Sequence, residues 1–243
     1  MQDGGVSGFD VWSRAQAVQP APDHRVILGA AALAVVVVVG RRPWALSRHA
    51  VTIAHEAAHG IVALLGGRRL AGIRLHSDTS GVTLSRGRPR GPGMVAMLAA
   101  GYLGPACIGL AAAVTLATGH AVGLLCGLVV ALAAVLIQIR NLFGLWSVLL
   151  SGTIVGAATW WLPPSAQSVF AYLVTWFLLL AAPRSVLGLI TERRRATRSR
   201  PAALVSDPDQ LAAITVLPAW AWIVVFALGT FAALVGGAGL LVR

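Results

Sequence analysis

The sequence predicts an all-α polytopic membrane protein of roughly six or seven transmembrane helices, with a small β-hairpin set among them. Three observations carry this reading. The chain of 243 residues is 57% hydrophobic and 11% charged, with a mean hydropathy of +0.80. Such a composition excludes an ordinary soluble domain. The apolar residues fall in long runs broken by short arginine-bearing segments. One segment, 66–92, is polar and alternating where its neighbours are not.

Residues 1–25 are polar, with prolines at 20 and 22, and read as a disordered arm; 26–243 read as a single integral membrane domain. A first apolar run, about 26–40, ends at Arg41-Arg42-Pro43, and a second extends over about 44–65. Gly66-Gly67 closes it. Alternation over Ala71-Gly72-Ile73-Arg74-Leu75-His76 and over Val82-Thr83-Leu84-Ser85, about a turn-like Ser77-Asp78-Thr79-Ser80-Gly81, predicts the hairpin. An open hairpin cannot face lipid, so it is expected at the interface or packed on the protein. Further runs cover about 93–118, 120–139, 142–162 and 168–190. A basic loop is expected at 193–200, then a polar Ser206-Asp207-Pro208-Asp209-Gln210 and a last span of about 217–242.

The net charge is +11, and all 19 basic residues are arginine. They sit between the apolar runs, as loop charges of membrane proteins do, which argues against a nucleic-acid partner. Cys107 and Cys126 lie inside apolar runs and read as small buried residues. The bias to alanine, glycine and arginine, with no lysine, suggests a bacterial source, so the apolar runs are expected to make a multi-pass protein of a bacterial cell membrane.

Within the second run stands His55-Glu56-Ala57-Ala58-His59. On a helix, residues four apart share a face, so both imidazoles point at one metal ion. Glu56 follows the first histidine, where a general base for activated water is expected. The chain has six His and eight Asp and Glu in all, and three of these fall together in an apolar segment, where such groups are costly. Zinc in catalytic sites takes three protein ligands. For the third, Asp207 stands ahead of Asp209, and a site of two histidines and water is the alternative. Asp207 also reads as an N-cap of the last helix, Asp78 as a turn-former and Glu192 as a solvated partner of the arginine run.

These residues resemble the site-2 protease family of intramembrane zinc metalloproteases, in its compact bacterial branch. The order of parts matches: the His55–His59 motif on an early helix, a glycine turn, a hairpin closing Ser80-Gly81-Val82-Thr83, and a glycine-rich span opening Ala99-Ala100-Gly101-Tyr102-Leu103-Gly104-Pro105. The likeness covers roughly residues 44–220. It implies Zn2+ as cofactor, a transmembrane helix of another protein as substrate, and Glu56 as base. It also implies a substrate-holding role for Asn141, which also reads as a helix cap. One departure stands out. The family's second motif, Asn-x-x-Pro then Leu-Asp-Gly, is matched here only by Asn141-Leu142-Phe143-Gly144 and Leu150-Ser151-Gly152, without the ligating aspartate. Two readings compete with the protease: a catalytically silent membrane scaffold, which the missing aspartate favours, and a metal transporter, which would need polar or broken helices in paired positions.

Overall fold

The computed structural model describes residues 13–199 and 206–243 of the chain. Two helices, α1 (His24–Val39) and α2 (Arg41–Leu65), meet at Gly40 with a bend of 97°. Gly40 is extended there, and Pro43 falls in the first turn of α2, where its missing N–H is no loss. The hairpin strands β1 (Arg69–Leu75) and β2 (Gly81–Arg86) follow. Then come α3 (Pro92–Ala117), α4 (Ala121–Gln138), α5 (Leu142–Trp161) and α6 (Pro164–Ser199). The chain ends with a short α7 (Asp207–Ile214) and α8 (Ala219–Leu241). Among the described residues five helices are long and apolar enough to cross a membrane, or six if α1 and α2 count as one bent span. The protein is thus a multi-pass membrane protein. The two runs expected as separate spans, 26–40 and 44–65, form that bent pair.

The helices pack through small residues. Ala34, Ala113 and Ala171 are fully buried in a core that also holds Leu125, Trp176 and Leu179. In lipid there is little hydrophobic gain on helix association, so close backbone approach and dispersion hold such a bundle. At Gly104 an added Cβ would lie 2.2 Å from the Cβ of Ala58, so α3 and α2 touch almost backbone to backbone.

Two expectations need correction. The arginine run at 193–200 is not a loop through most of its length: α6 continues to Ser199. Arginine and alanine favour helix, and cations suit a helix C-terminus. The arm expected to be disordered is partly docked. Residues 1–12 lie outside the described residues, but 13–16 form a helical turn with Ala15 buried against Val122. Arg14 donates to Gln167, and the Gln19 N–H donates to the Gly119 carbonyl at 2.8 Å.

The hairpin packs on the protein, as the need to satisfy its backbone predicted. Ile73 opposes Thr83 and Leu75 opposes Gly81 in an antiparallel pair. Ile73 and Leu75 are buried with Ile53 of α2, Ile139 and Val148. The tip is tied to α2: Thr52 donates its hydroxyl to the Thr79 carbonyl at 3.1 Å, and Arg48 donates to the Asp78 carbonyl at 3.2 Å. The two edges of the hairpin differ. Ile139 bridges Ile73 in parallel, and the Arg140 N–H donates to the Ile73 carbonyl at 2.9 Å, which covers the outer edge of β1. Gly72 makes this approach possible. Its φ of +141° falls at a register slip, and a Cβ there would lie 2.4 Å from the Arg140 side chain. Among the described residues no strand covers the other edge of β2.

Candidate active site

The four-residue spacing on α2 does what it predicts: the rings of His55 and His59 meet edge to face, their centroids 4.7 Å apart. Their Nε2 atoms are 3.1 Å apart. From the far end of the chain, Asp207 brings Oδ2 to 3.2 Å from His55 Nε2 and 3.3 Å from His59 Nε2. The Nδ1 of His59 lies 2.6 Å from the Met97 carbonyl of α3. A carbonyl only accepts, so Nδ1 carries the proton and the neutral ring turns a lone pair toward the cluster from Nε2. Two imidazole nitrogens and a carboxylate oxygen thus converge on one point, a donor set that suits a cation.

The dimensions fit one. With bonds near 2.0–2.1 Å, the edge of a tetrahedron of ligand atoms is roughly 3.3 Å. The three separations lie at or just under that value. The cradle is also kept open. An added Cβ at Gly101 of α3 would stand 2.4 Å from His59 Nε2 and 2.6 Å from the Cε1 of His55, so only glycine leaves this space clear. Tyr102, the next residue, sets its ring edge-on to His55 at 4.8 Å and stacks on Phe226 of α8 at 5.3 Å. Gly101 and Tyr102 stand in the glycine-rich span that carries the resemblance, but no role at the histidines is expected for them there, and Met97 lies outside that span.

Asp207 is not an N-cap: Pro218 holds that place in the last helix, α8, and Ser206 holds it in α7. Asp209 makes the cap. It accepts from the Ser206 N–H at 3.1 Å and the Ser206 hydroxyl at 2.5 Å, and its other oxygen takes Arg193 of α6 at 2.6 Å. Residues two apart on a helix face nearly opposite ways. Anchoring Asp209 outward therefore turns Asp207 inward, and Leu211, fully buried beside Phe226, fixes α7 from below. Asp209 is thus a cap. Asp78 is the turn-former expected, accepting from the Ser80 N–H and hydroxyl at the hairpin tip.

Glu56 is buried, 4% exposed, on the side of α2 that meets β2. The Thr83 hydroxyl donates to its Oε2 at 2.7 Å and stands 3.0 Å from its main-chain carbonyl. The bare face of Gly81 lies against the same carboxylate, where a Cβ would come within 2.6 Å of Oε1. A strand residue thus holds the motif glutamate, a contact that no spacing along the chain announces. His55, Glu56, His59 and Asp207 all line one cleft of about 550 Å3, walled by β2 on one side and by Leu189 and Glu192 of α6 on another.

Asn141 is placed otherwise than expected. Its Oδ1 accepts from the Leu75 N–H at 3.1 Å and its Nδ2 donates to the Leu75 carbonyl at 2.6 Å. Both ends of the amide bind β1, and Asn141 is not among the cleft residues. It stands at the N-cap of α5 without a side-chain capping bond. The amide clamps the end of β1 to the start of α5.

No curated protein and no solved structure matches the chain. A family model described as Peptidase M50B-like matches residues 28–237, a stretch running from α1 into α8 and enclosing the whole cleft. With that match, the membrane-spanning bundle and the His, His, Asp cradle beside a buried glutamate, the chain belongs to the M50B-like peptidases, members of the site-2 protease family.

Proposed function

We propose that the protein is a zinc-dependent intramembrane endopeptidase that cleaves transmembrane segments of other membrane proteins, in the cell membrane of a bacterium. The observation that carries this is the arrival of Asp207 at the His55–His59 pair. It supplies, from α7, the carboxylate that the missing Leu-Asp-Gly motif leaves wanting. His55, His59 and Asp207 would hold the metal through Nε2, Nε2 and Oδ2. Bound zinc supplies a Lewis acid that makes water more acidic and draws charge from a scissile carbonyl. Glu56 is the base. With Oε2 occupied by Thr83, Oε1 takes the proton from the attacking water and passes it to the leaving amine nitrogen.

A substrate helix hides its carbonyls in its own hydrogen bonds and must unwind to be cut. The uncovered edge of β2 along the cleft offers main-chain partners to the unwound segment. A silent scaffold has no use for a buried, hydrogen-bonded glutamate beside a metal cradle, so retention of Glu56 weighs against that reading. The test is Glu56→Gln in detergent-purified protein. It is expected to keep about one zinc per chain while cleavage of a membrane-protein reporter falls by about 10³-fold. Cleavage at the wild-type rate would overturn the assignment of the base.

A further inference from the structure

Within the cleft, the guanidinium of Arg68 has no carboxylate partner among the described residues and is held still. Its Nε donates to Ser85 Oγ at 3.0 Å and its Nη1 donates to the Arg88 carbonyl at 2.5 Å. Gly87 lies against the same side chain, where a Cβ would approach Nη1 and Cζ to 3.1 and 3.2 Å. A guanidinium has five N–H donors. The two bonds use two of them and leave three, on a side chain that lines the cleft together with His55 and Glu56. The chain has no acidic residue between Asp78 and Glu192, and among the described residues the one arginine ion pair is Arg193 with Asp209.

The register along β2 says what this group would meet. Gly81, Thr83 and Ser85 alternate with the exposed Val82 and Leu84, so the three share one face of the strand, toward Glu56 and Arg68. Thr83 holds the glutamate and Ser85 holds the arginine, two residues farther along. A peptide added to the free edge of β2 places side chains opposite Thr83 and Ser85 on that same face. We propose that Arg68 is a specificity-determining residue, which takes the carboxylate of an aspartate or glutamate side chain two positions from the substrate residue that lies across from Thr83. This inference rests on the proteolytic reading of the cleft and on strand addition to β2. The pre-set fork suits a planar carboxylate and would not suit a neutral amide nearly as well.

The experiment uses the full-length protein in detergent and fluorescent apolar peptides of about ten residues that carry Asp, its isostere Asn, or Lys at that position. Wild-type protein is expected to favour the Asp peptide over the Asn peptide by about tenfold in kcat/KM. Arg68→Gln should erase the preference, and Arg68→Glu should shift it to the Lys peptide, a gain that a misfolded variant could not display. Peptide binding to Glu56→Gln by fluorescence anisotropy, with and without Arg68→Gln in the same chain, repeats the comparison without turnover. Discrimination that persists there while the wild type cleaves nothing would uphold the role of Arg68 and defeat the protease reading. Equal cleavage of all three peptides by the wild type would uphold the protease and defeat this inference. Failure of every peptide to bind would overturn it as well.

Discussion

His55 and His59 stand on one helix of 25 residues, and a spacing of four alone puts their rings on the same face. Asp207 stands on a helix of eight residues, too short to hold itself in water, and reaches the same point only because other parts of the fold place it. Arg193 of α6 ties down its first turn and Leu211 seats it against Phe226. One half of the cradle is thus local and rigid, and the other is delivered by tertiary packing. The difference has a consequence for chemistry. A catalytic metal needs an open position and tolerates little misplacement, so the delivered half is where small structural changes should be felt first.

The largest effects come from breaking either half outright. His59→Ala and Asp207→Ala are each expected to take zinc from about one per chain to none and to abolish cleavage. Metal analysis of the purified variants checks this. Zinc kept in Asp207→Ala would reduce the cradle to two histidines and make the delivered half dispensable. Next in size is Gly101→Ala. Its Cβ would enter the space between the two rings, and α3 must move away from α2 to admit it. Overpacking of that kind costs about 1–3 kcal/mol. Zinc affinity should fall by about tenfold or more in a competition titration against a chelator. An unchanged affinity would mean that α3 yields freely.

The same contrast explains what was legible in the sequence. The spans at 93–118, 120–139 and 142–162 are set by long apolar runs and fall within a residue or two of α3, α4 and α5. His55, Glu56 and His59 are local on a helix, so spacing sufficed. The hairpin was readable from alternation. Asp207 was reached by elimination among few acids, and its competing reading as an N-cap failed because Asp209 and Ser206 perform that task. Thr83, Met97 and Gly101 were not legible. Each acts across a contact between elements distant in the chain, and a threonine, a main-chain carbonyl and a glycine carry no chemical signature of their own. Asn141 was noticed by resemblance, yet the partner it takes is the backbone of β1.

The two edges of the hairpin extend the comparison to substrate handling. The β1 edge is closed by residues 139–141, whereas among the described residues no strand covers the β2 edge, and β2 lines the cleft. Val82→Pro disturbs β2 from its paired side. Val82 lies opposite Arg74, which stands between Ile73 and Leu75, whose main chains turn outward, so the Val82 N–H faces β1. Loss of that ladder bond distorts the strand along the cleft and should lower kcat/KM by about tenfold with zinc retained. Asn141→Ala disturbs the closed edge. It leaves the Leu75 N–H and carbonyl without their side-chain partner, and stability should drop by about 1–3 kcal/mol. Cleavage should fall less than in Val82→Pro, because the cleft-facing strand is intact. Thermal melting beside cleavage kinetics separates the two. Unchanged cleavage in Val82→Pro would count against strand addition.

The smallest effect sharpens the account of how Asp207 is delivered. Partial burial acts to raise the Asp209 carboxyl, but the hydrogen bonds from Arg193 and Ser206 outweigh it and hold the acid below its ordinary range. A carboxyl with a lowered folded pKa binds protons more readily in the unfolded chain. Its contribution to stability is therefore present above the ordinary value of about 3.9 and is lost as pH falls through the lowered folded one. Its partner is partly exposed, so the contribution is under about 1 kcal/mol. Asp209→Asn should melt slightly below the wild type at pH 7, and the gap should close as the pH drops beneath about 4. Acid also releases metal by protonating its ligands, in wild type and variant alike, so the difference between the two melting curves is the quantity to read. If Asp209 anchors α7, zinc affinity at pH 7 should fall a few-fold in Asp209→Asn even though that carboxylate touches no proposed ligand atom. A melting gap without any change in zinc affinity would mean that Leu211 and its apolar neighbours alone set the position of Asp207.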